Sequence, residues 1–350
     1  MSDYSNTIRQ GTPDQIANDL NYPWLKMLAN RKDIYCHFYA NWQSIPLPDG
    51  YDYYLVVYKH ENVDLDWIKR QHVKGKIVVV FPGNAYDVDI PNVEFVGYAH
   101  LHKDLGKMID MFGIHPSNPH KNYKFSIVCN RVTQSKIWVT TKLLESETDS
   151  LIILNTKWIE GKNVHNWNPT GVSLLDNLTR TFKEKYVHLN LTDDFDKSSD
   201  NHFNKNANPW QPLYTDTALH IVGGSFHYSY MGDYTYPGPD IDEKTLKCLL
   251  AGVPFLPAMQ FDVYNYLSEF GLRFDYGFDT SFDADSGNLT RFVKLCKLID
   301  KLSKWSIEEI ISATADATEH NKQHIISGKF AEQCDQYNEI QTEKILKALQ

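Results

Sequence analysis

Residues 53–58, YYLVVY, and 76–81, KIVVVF, are short apolar runs of strand length on either side of Val63–His72, a stretch with the character of a helix. The second run stops at Pro82-Gly83, a pair that ends a strand. Asn92–Tyr98 (NVEFVGY) follows as a third run. Strand, helix and strand in alternation predict a parallel sheet with helices on its faces, because only a crossover segment can return the chain to lie parallel to the previous strand.

Further along, Gly113–Asn122 (GIHPSNPHKN) breaks this rhythm with proline, asparagine and histidine, and the linker is placed there. The rhythm then restarts. Lys124–Cys129 is predicted as a strand, Thr133–Glu145 as a helix and Leu151–Leu154 as a strand, and a polar irregular region runs over 193–212. Ala218–Val222 follows as a strand, Glu243–Leu250 as a helix and Val253–Leu256 as a strand. Ser306 with Glu309 three residues on is a capping-box signature, opening helical sequence that runs to Leu349 with an interruption near Gly328. The expectation is an α/β protein of two Rossmann-like lobes. Residues 1–118 would form an acceptor-side lobe and 119–305 a donor-binding lobe, and 306–350 would form terminal helices able to pack back on the first lobe.

The chain has 350 residues, 42% apolar and 23% charged, enough for one large core or two ordinary ones. Five cysteines lie far apart without a CxxC pair, so neither a zinc ribbon nor a disulfide framework is expected, and a reducing compartment fits best. The polar N-terminus lacks a basic-then-apolar leader, and no run approaches the roughly 18 apolar residues of a membrane helix. The expectation is therefore a soluble chain of the cytoplasm, or of a host's cytoplasm if phage-encoded, with no membrane partner. A net charge of −9 disfavours nucleic acid without excluding it, since Lys26, Arg31, Lys69, Arg70, Lys74 and Lys76 form either a local basic track or a scattered, solvated set.

The chemistry concentrates in residues 236–256, YPGPDIDEKTLKCLLAGVPFL. A loop of proline, glycine and aspartate leads into a helix starting near Asp242 or Glu243, and Gly252 ends it. Helix-start N–H groups attract anions, Lys244 adds a full positive charge for a diphosphate, and Glu243 can accept from two ribose hydroxyls. The competing reading has Asp242 and Glu243 merely stabilising the helix start while Lys244 is solvated. Gly223-Gly224, after a strand, suggests either a close backbone approach to a ligand or an ordinary tight turn. No GxGxxG or GxxxxGK[ST] loop occurs.

The run I-D-E-K-T-L-K, then A-G-V-P-F-L, then Tyr266-Leu-Ser-Glu-Phe-Gly-Leu-Arg-Phe-Asp resembles the "TEKT-x-K … PF … L-x-x-x-G-F-x-T-F" stretch of glycosyltransferases from phages and environmental sequences. More distantly it is similar to the "TEK" segment of α-1,3-fucosyltransferases, which have the GT-B fold. Tyr123-Lys-Phe-Ser-Ile-Val-Cys-Asn-Arg is similar to the "F-x-x-L-N-R-R" opening of the same domain. The resemblance implies a nucleoside-diphosphate sugar as donor, UDP or GDP undecided, with no tightly bound cofactor. Arg131 and Lys244 would face the diphosphate and Glu243 the ribose; Asn130, Lys136, Gly223, Gly224, Tyr236, Asp242 and Thr245 complete the expected donor site. The chain departs from the pattern in having Ile221-Val-Gly-Gly where relatives carry an acidic residue, and Asp242 where they carry Thr.

Glycosyl transfer also needs a base for the acceptor proton. Strand ends of the first lobe carry His60, Asp87, His100 and His102, of which Asp87 and His100 are selected. Asp-x-Asp begins at Asp64, Asp87, Asp240 and Asp283, and such a pair ligates a divalent cation in GT-A enzymes; no HExxH or Cys/His cluster supports zinc, and no metal site is assigned. The expected acceptor is a hydroxyl on a glycan, a small molecule or a modified DNA base. The alternatives are a metal-dependent GT-A-type transferase and a non-catalytic carbohydrate- or nucleic-acid-binding protein.

Overall fold

The computed structural model describes residues 9–11, 23–28, 30–39, 46–58, 63, 65–83, 89–99, 105, 109–110, 120–129, 132–154, 169–187, 212–223, 239, 241 and 243–350. The chain divides into two compact units, Met1–His100 with Tyr234–Asp240 and Cys334–Gln350, and Leu101–Asp233 with Ile241–Gln333. Each holds a largely parallel sheet, so the α/β architecture with C-terminal helices is that expected from the alternating runs.

In the first unit the strands are β1 (Arg9–Gly11), β2 (Ile34–Tyr39), β3 (Tyr53–Tyr58), β4 (Lys76–Pro82) and β5 (Val93–Tyr98), in the spatial order β1-β2-β3-β4-β5. β1 runs antiparallel to β2 and the rest are parallel, with Leu55 set between Cys36 and Val78. Side chains alternate across the sheet. Cys36, Leu55, Val57, Val78, Val80 and Val96 face one way, where they meet Trp24, Leu25 and Leu28 around helix α1 (Pro23–Met27). Tyr54, Val56, Val79 and Phe81 face the other way, against Trp67 and Ile68 of helix α2 (Leu65–Lys69). Burial on both faces is why YYLVVY reads as an unbroken apolar run rather than an alternating one.

Part of the first face is covered from far along the chain, by Ile345, Ala348 and Leu349. Hydrogen bonds fix that segment. The Arg31 guanidinium, paired with Asp33 at 2.6 Å, donates to the Leu349 carbonyl at 2.8 Å, and the Asn338 amide accepts from Ala99 N–H at 2.8 Å while donating to the Ala99 carbonyl at 2.7 Å. Gly97 has no alternative in β5, since a Cβ there would lie 1.9 Å from the Gly83 carbonyl oxygen.

The second unit places β6 (Tyr123–Cys129), β7 (Ser150–Leu154), β8 (Thr217–Gly223) and β9 (Phe255–Ala258) in the order β7-β6-β8-β9, all parallel. Its helices are α3 (Gln134–Glu145), α4 (Ser173–Thr181, extended by a π-helical turn over Phe182–Tyr186), α5 (Pro212–Thr215), α6 (Glu243–Ala251), α7 (Val263–Ser268), α8 (Asn288–Leu302) and α9 (Ile307–Ile326). The final helix, α10 (Lys329–Ala348), starts in this unit and ends in the first. Thr133 caps α3 and the Ser306–Glu309 capping box opens α9, both as the sequence predicts. Gly328, at φ 79°, separates α9 from α10.

Two boundaries shift from expectation. β9 starts at Phe255 rather than Val253, because Val253 N–H still bonds the Cys248 carbonyl in the turn that Gly252 makes at φ 64°. The helix expected over Val63–His72 shortens to Leu65–Lys69, as Gln71 is drawn off to accept from Leu47 N–H.

Candidate functional site

In the second unit the strand order reverses at β6 and β8. β7 lies on one side of β6, and β8 with β9 on the other, so the chain leaves these two neighbours in opposite directions. In open α/β sheets such a reversal opens a crevice at the carboxyl ends of the strands, where ligands bind. Here those ends are Cys129 and Gly223.

Helix α3 follows β6 on the face of Phe125, Ile127 and Cys129, whose thiol sits 3.3 Å from the Thr140 hydroxyl. It brings Lys136 into its first turn, where the Lys136 N–H donates to the capping Thr133 hydroxyl. The stem of Lys136 crosses the end of β8. A Cβ on Gly223 would meet its Cε at 3.1 Å and its Cγ at 3.2 Å. The space created by the missing side chain of Gly223 is thus filled by Lys136, not left open to a ligand. Helix α6 follows β8 and contributes Lys244, Thr245 and Lys247.

These lysines are not solvated: Lys136 is 2% exposed, Lys244 5% and Lys247 1%. Burying an ammonium group carries a large desolvation cost unless other groups compensate it, and each of these three lysines engages neighbouring groups. The reading of Lys244 as a solvated first-turn lysine does not hold. The field of these groups registers on their neighbours. Burial pushes the Cys129 thiol up, while Lys136 and Lys244 both pull it back. Burial takes His220 down to about 3, with Lys244 and Lys247 acting in the same direction. Lys247 Nζ lies 5.6 Å from the centre of the Tyr214 ring, and that ring lies 5.0 Å from His220.

Of the residues expected from sequence, the structure brings Lys136, Gly223, Lys244 and Thr245 to this edge. Glu243 is the first residue of α6, but its side chain is outside the described residues. Asp87, His100, Asn130, Arg131, Gly224, Tyr236 and Asp242 also lie outside them, as do His60, His102 and Asp240. Among the described residues, no group of three or more His, Cys, Asp or Glu is placed to hold a metal ion. Asp283, from one Asp-x-Asp, instead caps α7 by accepting from Tyr264 N–H at 2.7 Å. Its partner Asp285 accepts from Thr290 and pairs with Lys294 at 2.6 Å.

Sequence reading missed Lys247, His220 and Ser126. Lys247 follows Lys244 by three residues and so shares its helix face, and His220 is a polar residue inside the apolar run ALHIV; both signals were present. The basic track of the first unit gathers at the other end of its sheet. Lys69 ends α2, Lys76 opens β4 and pairs with Glu94 at 2.6 Å, and Arg31 precedes β2.

Among the described residues no helix is long and apolar enough to cross a membrane, and all five cysteines are buried and outside any disulfide. No family model, no curated protein and no solved structure matches the chain.

Proposed function

We propose that the chain is a GT-B-type glycosyltransferase that moves a sugar from a nucleoside-diphosphate sugar to a hydroxyl of a glycan, a small molecule or a modified DNA base. The observation that carries this reading is the pairing of Lys136 and Lys244, delivered by the first turns of α3 and α6 to the edge where the strand order reverses. Two helix starts and two buried lysines, both acting on Cys129 at the end of β6, suit a group with at least two negative charges. In the transfer, the acceptor oxygen bonds to the anomeric carbon, the bond from that carbon to the diphosphate oxygen breaks, and the diphosphate leaves with the electron pair. Lys136 and Lys244 would stabilise the charge that develops there. The acceptor proton goes to a base, for which Asp87 and His100 are the candidates.

The test is release of nucleotide from a panel of UDP-, GDP-, ADP- and CMP-sugars, with and without EDTA, in wild type and in Lys136→Met and Lys244→Met. Release from one donor, insensitive to EDTA and reduced about 100-fold in either variant, is expected. Sensitivity to EDTA would favour the GT-A-type alternative. No release together with no calorimetric binding of any nucleotide would end the proposal.

A further inference from the structure

The part of α10 that lies in the first unit changes character along its length. Ile345, Ala348 and Leu349 are apolar and cover the sheet. Earlier on the helix stand Asn338 and Thr342, four residues apart and so on one side of it. The Asn338 amide accepts from Ala99 N–H at 2.8 Å and donates to the Ala99 carbonyl at 2.7 Å, and the Tyr98 hydroxyl hydrogen-bonds Thr342. Both Asn338 and Ala99 are buried. A side-chain amide carries the same donor and acceptor as a peptide group, so Asn338 gives Ala99 the pairing that a further strand would supply. Among the described strands β5 lies at one edge of its sheet, and Ala99 stands just past its last residue. Next to Asn338, the Tyr337 hydroxyl faces the Gly83 carbonyl in a long hydrogen bond of 3.5 Å, and a Cβ on Gly97 would lie 2.9 Å from that hydroxyl. Gly83 stands just past the end of β4.

Two adjacent residues of α10 thus hold the carboxyl ends of two neighbouring parallel strands, the side of an open α/β sheet on which ligands bind. From these ends the chain continues to both candidate bases: His100 is the residue after Ala99, and Asp87 is four residues after Gly83. Both bases lie outside the described residues, whereas the backbone that leads to them is described. We propose that Asn338 is a positioning residue for the acceptor side of the reaction: its amide fixes the backbone at Ala99, from which the segment carrying a base departs. Without that amide, both peptide groups of Ala99 would be buried and unpaired, and the strand end would shift to find other partners. A displacement of about 1 Å at a reacting group costs on the order of 100-fold in rate. This role rests on the function proposed above; the clamp on Ala99 does not.

The experiment compares the whole chain with Asn338→Ala and Asn338→Asp. In Asn338→Ala the Ala99 amide should exchange its hydrogen at least about tenfold faster, having lost its acceptor. Nucleotide release from the donor that wild type uses should fall about 10–100-fold in kcat, with KM for that donor and calorimetric affinity for its nucleotide unchanged. Asn338→Asp separates positioning from packing. Its carboxyl reproduces the amide only when protonated, since the ionised form sets a second acceptor against the Ala99 carbonyl. Its kcat relative to wild type at the same pH should therefore recover as pH falls from about 8 to 5. If Asn338→Ala does not fold, that recovery in Asn338→Asp carries the test, and a flat ratio overturns the proposal. An unchanged kcat in a folded Asn338→Ala chain also overturns it, as does a loss of nucleotide affinity matching the loss of kcat. If wild type neither releases nor binds any nucleotide, the function proposed above fails and this role fails with it; release by wild type with kcat unchanged in the variant overturns this role alone.

Discussion

The two sheets use similar strands to different ends. In the first, the described strands step across in sequence order, and among them no pair of neighbours sends the chain in opposite directions. Part of one face is left to be covered by Ile345, Ala348 and Leu349 from the end of the chain. In the second, the order β7-β6-β8-β9 reverses once, and helices following β6 and β8 deliver Lys136 and Lys244 to a single edge. Strand composition does not distinguish these cases, as KIVVVF and ALHIV are both buried apolar runs. Strand order and the source of the covering layer do.

The sharpest way to break this comparison is to remove residues 334–350. Amides of β2–β5 should lose most of their hydrogen-exchange protection while those of β6–β9 keep theirs; equal protection in both sheets before and after would show that the first does not depend on its borrowed layer. Ile345→Ala, a point version of the same cut, should cost about 2–5 kcal/mol.

A comparable effect is expected from pH in the second unit alone. Burial drives the Asp283 carboxyl up to about 7, against the hydrogen bond from Tyr264 N–H and the charge of Arg291. The folded chain therefore holds a proton between about pH 4 and 7 that the unfolded chain, with an ordinary carboxylate, does not. Stability is greatest below that window and falls as pH rises through it, by at most about 4 kcal/mol. Thermal melts of Asp283→Asn should lack this component, and a slope identical to wild type between pH 5 and 8 would contradict it.

Smaller effects should separate site from scaffold. Gly223→Ala presses a methyl against the Lys136 stem; about 1 kcal/mol of stability is expected to be lost. Pyrophosphate affinity, measured by calorimetry, should fall about tenfold as the ammonium group is displaced. Ser306→Ala removes the exposed capping box at the start of α9, far in sequence from the lysines. It should cost about 1 kcal/mol in a denaturant melt and leave pyrophosphate binding unchanged.

Much of the architecture was legible because burial on both faces leaves strong local marks: YYLVVY and KIVVVF are found as β3 and β4, and Thr133 and Ser306 cap helices where their side chains predict. Helix α8 carries a regular pattern of buried positions, but Gly287 before it offers no capping side chain to mark its start. β1 is only three residues long and owes its existence to pairing with β2, which no local pattern encodes. At the candidate site, residue types were legible and environments were not. Lys244 could be named from its place at a helix start, but whether it was solvated depended on packing from residues distant in sequence. For Gly223 a ligand approach and a tight turn were equally open, because nothing local reveals that Lys136, 87 positions earlier, lies across it. The strand order that makes this edge a site is a property of long-range pairing alone.

Because part of its covering layer comes from the end of the chain, the first sheet cannot be completed when its own strands are made. The ribosome must add roughly 250 more residues after Ala99 before Ile345 and Leu349 exist, which takes about 12–50 s at ordinary elongation rates. During that interval a face of Cys36, Leu55, Val57, Val78 and Val80 waits without its full cover, a surface of the kind that chaperones bind and that aggregates when they do not. Production of the protein should accordingly be more sensitive to chaperone supply and to changes in residues 345–349 than the stability of the finished molecule would suggest.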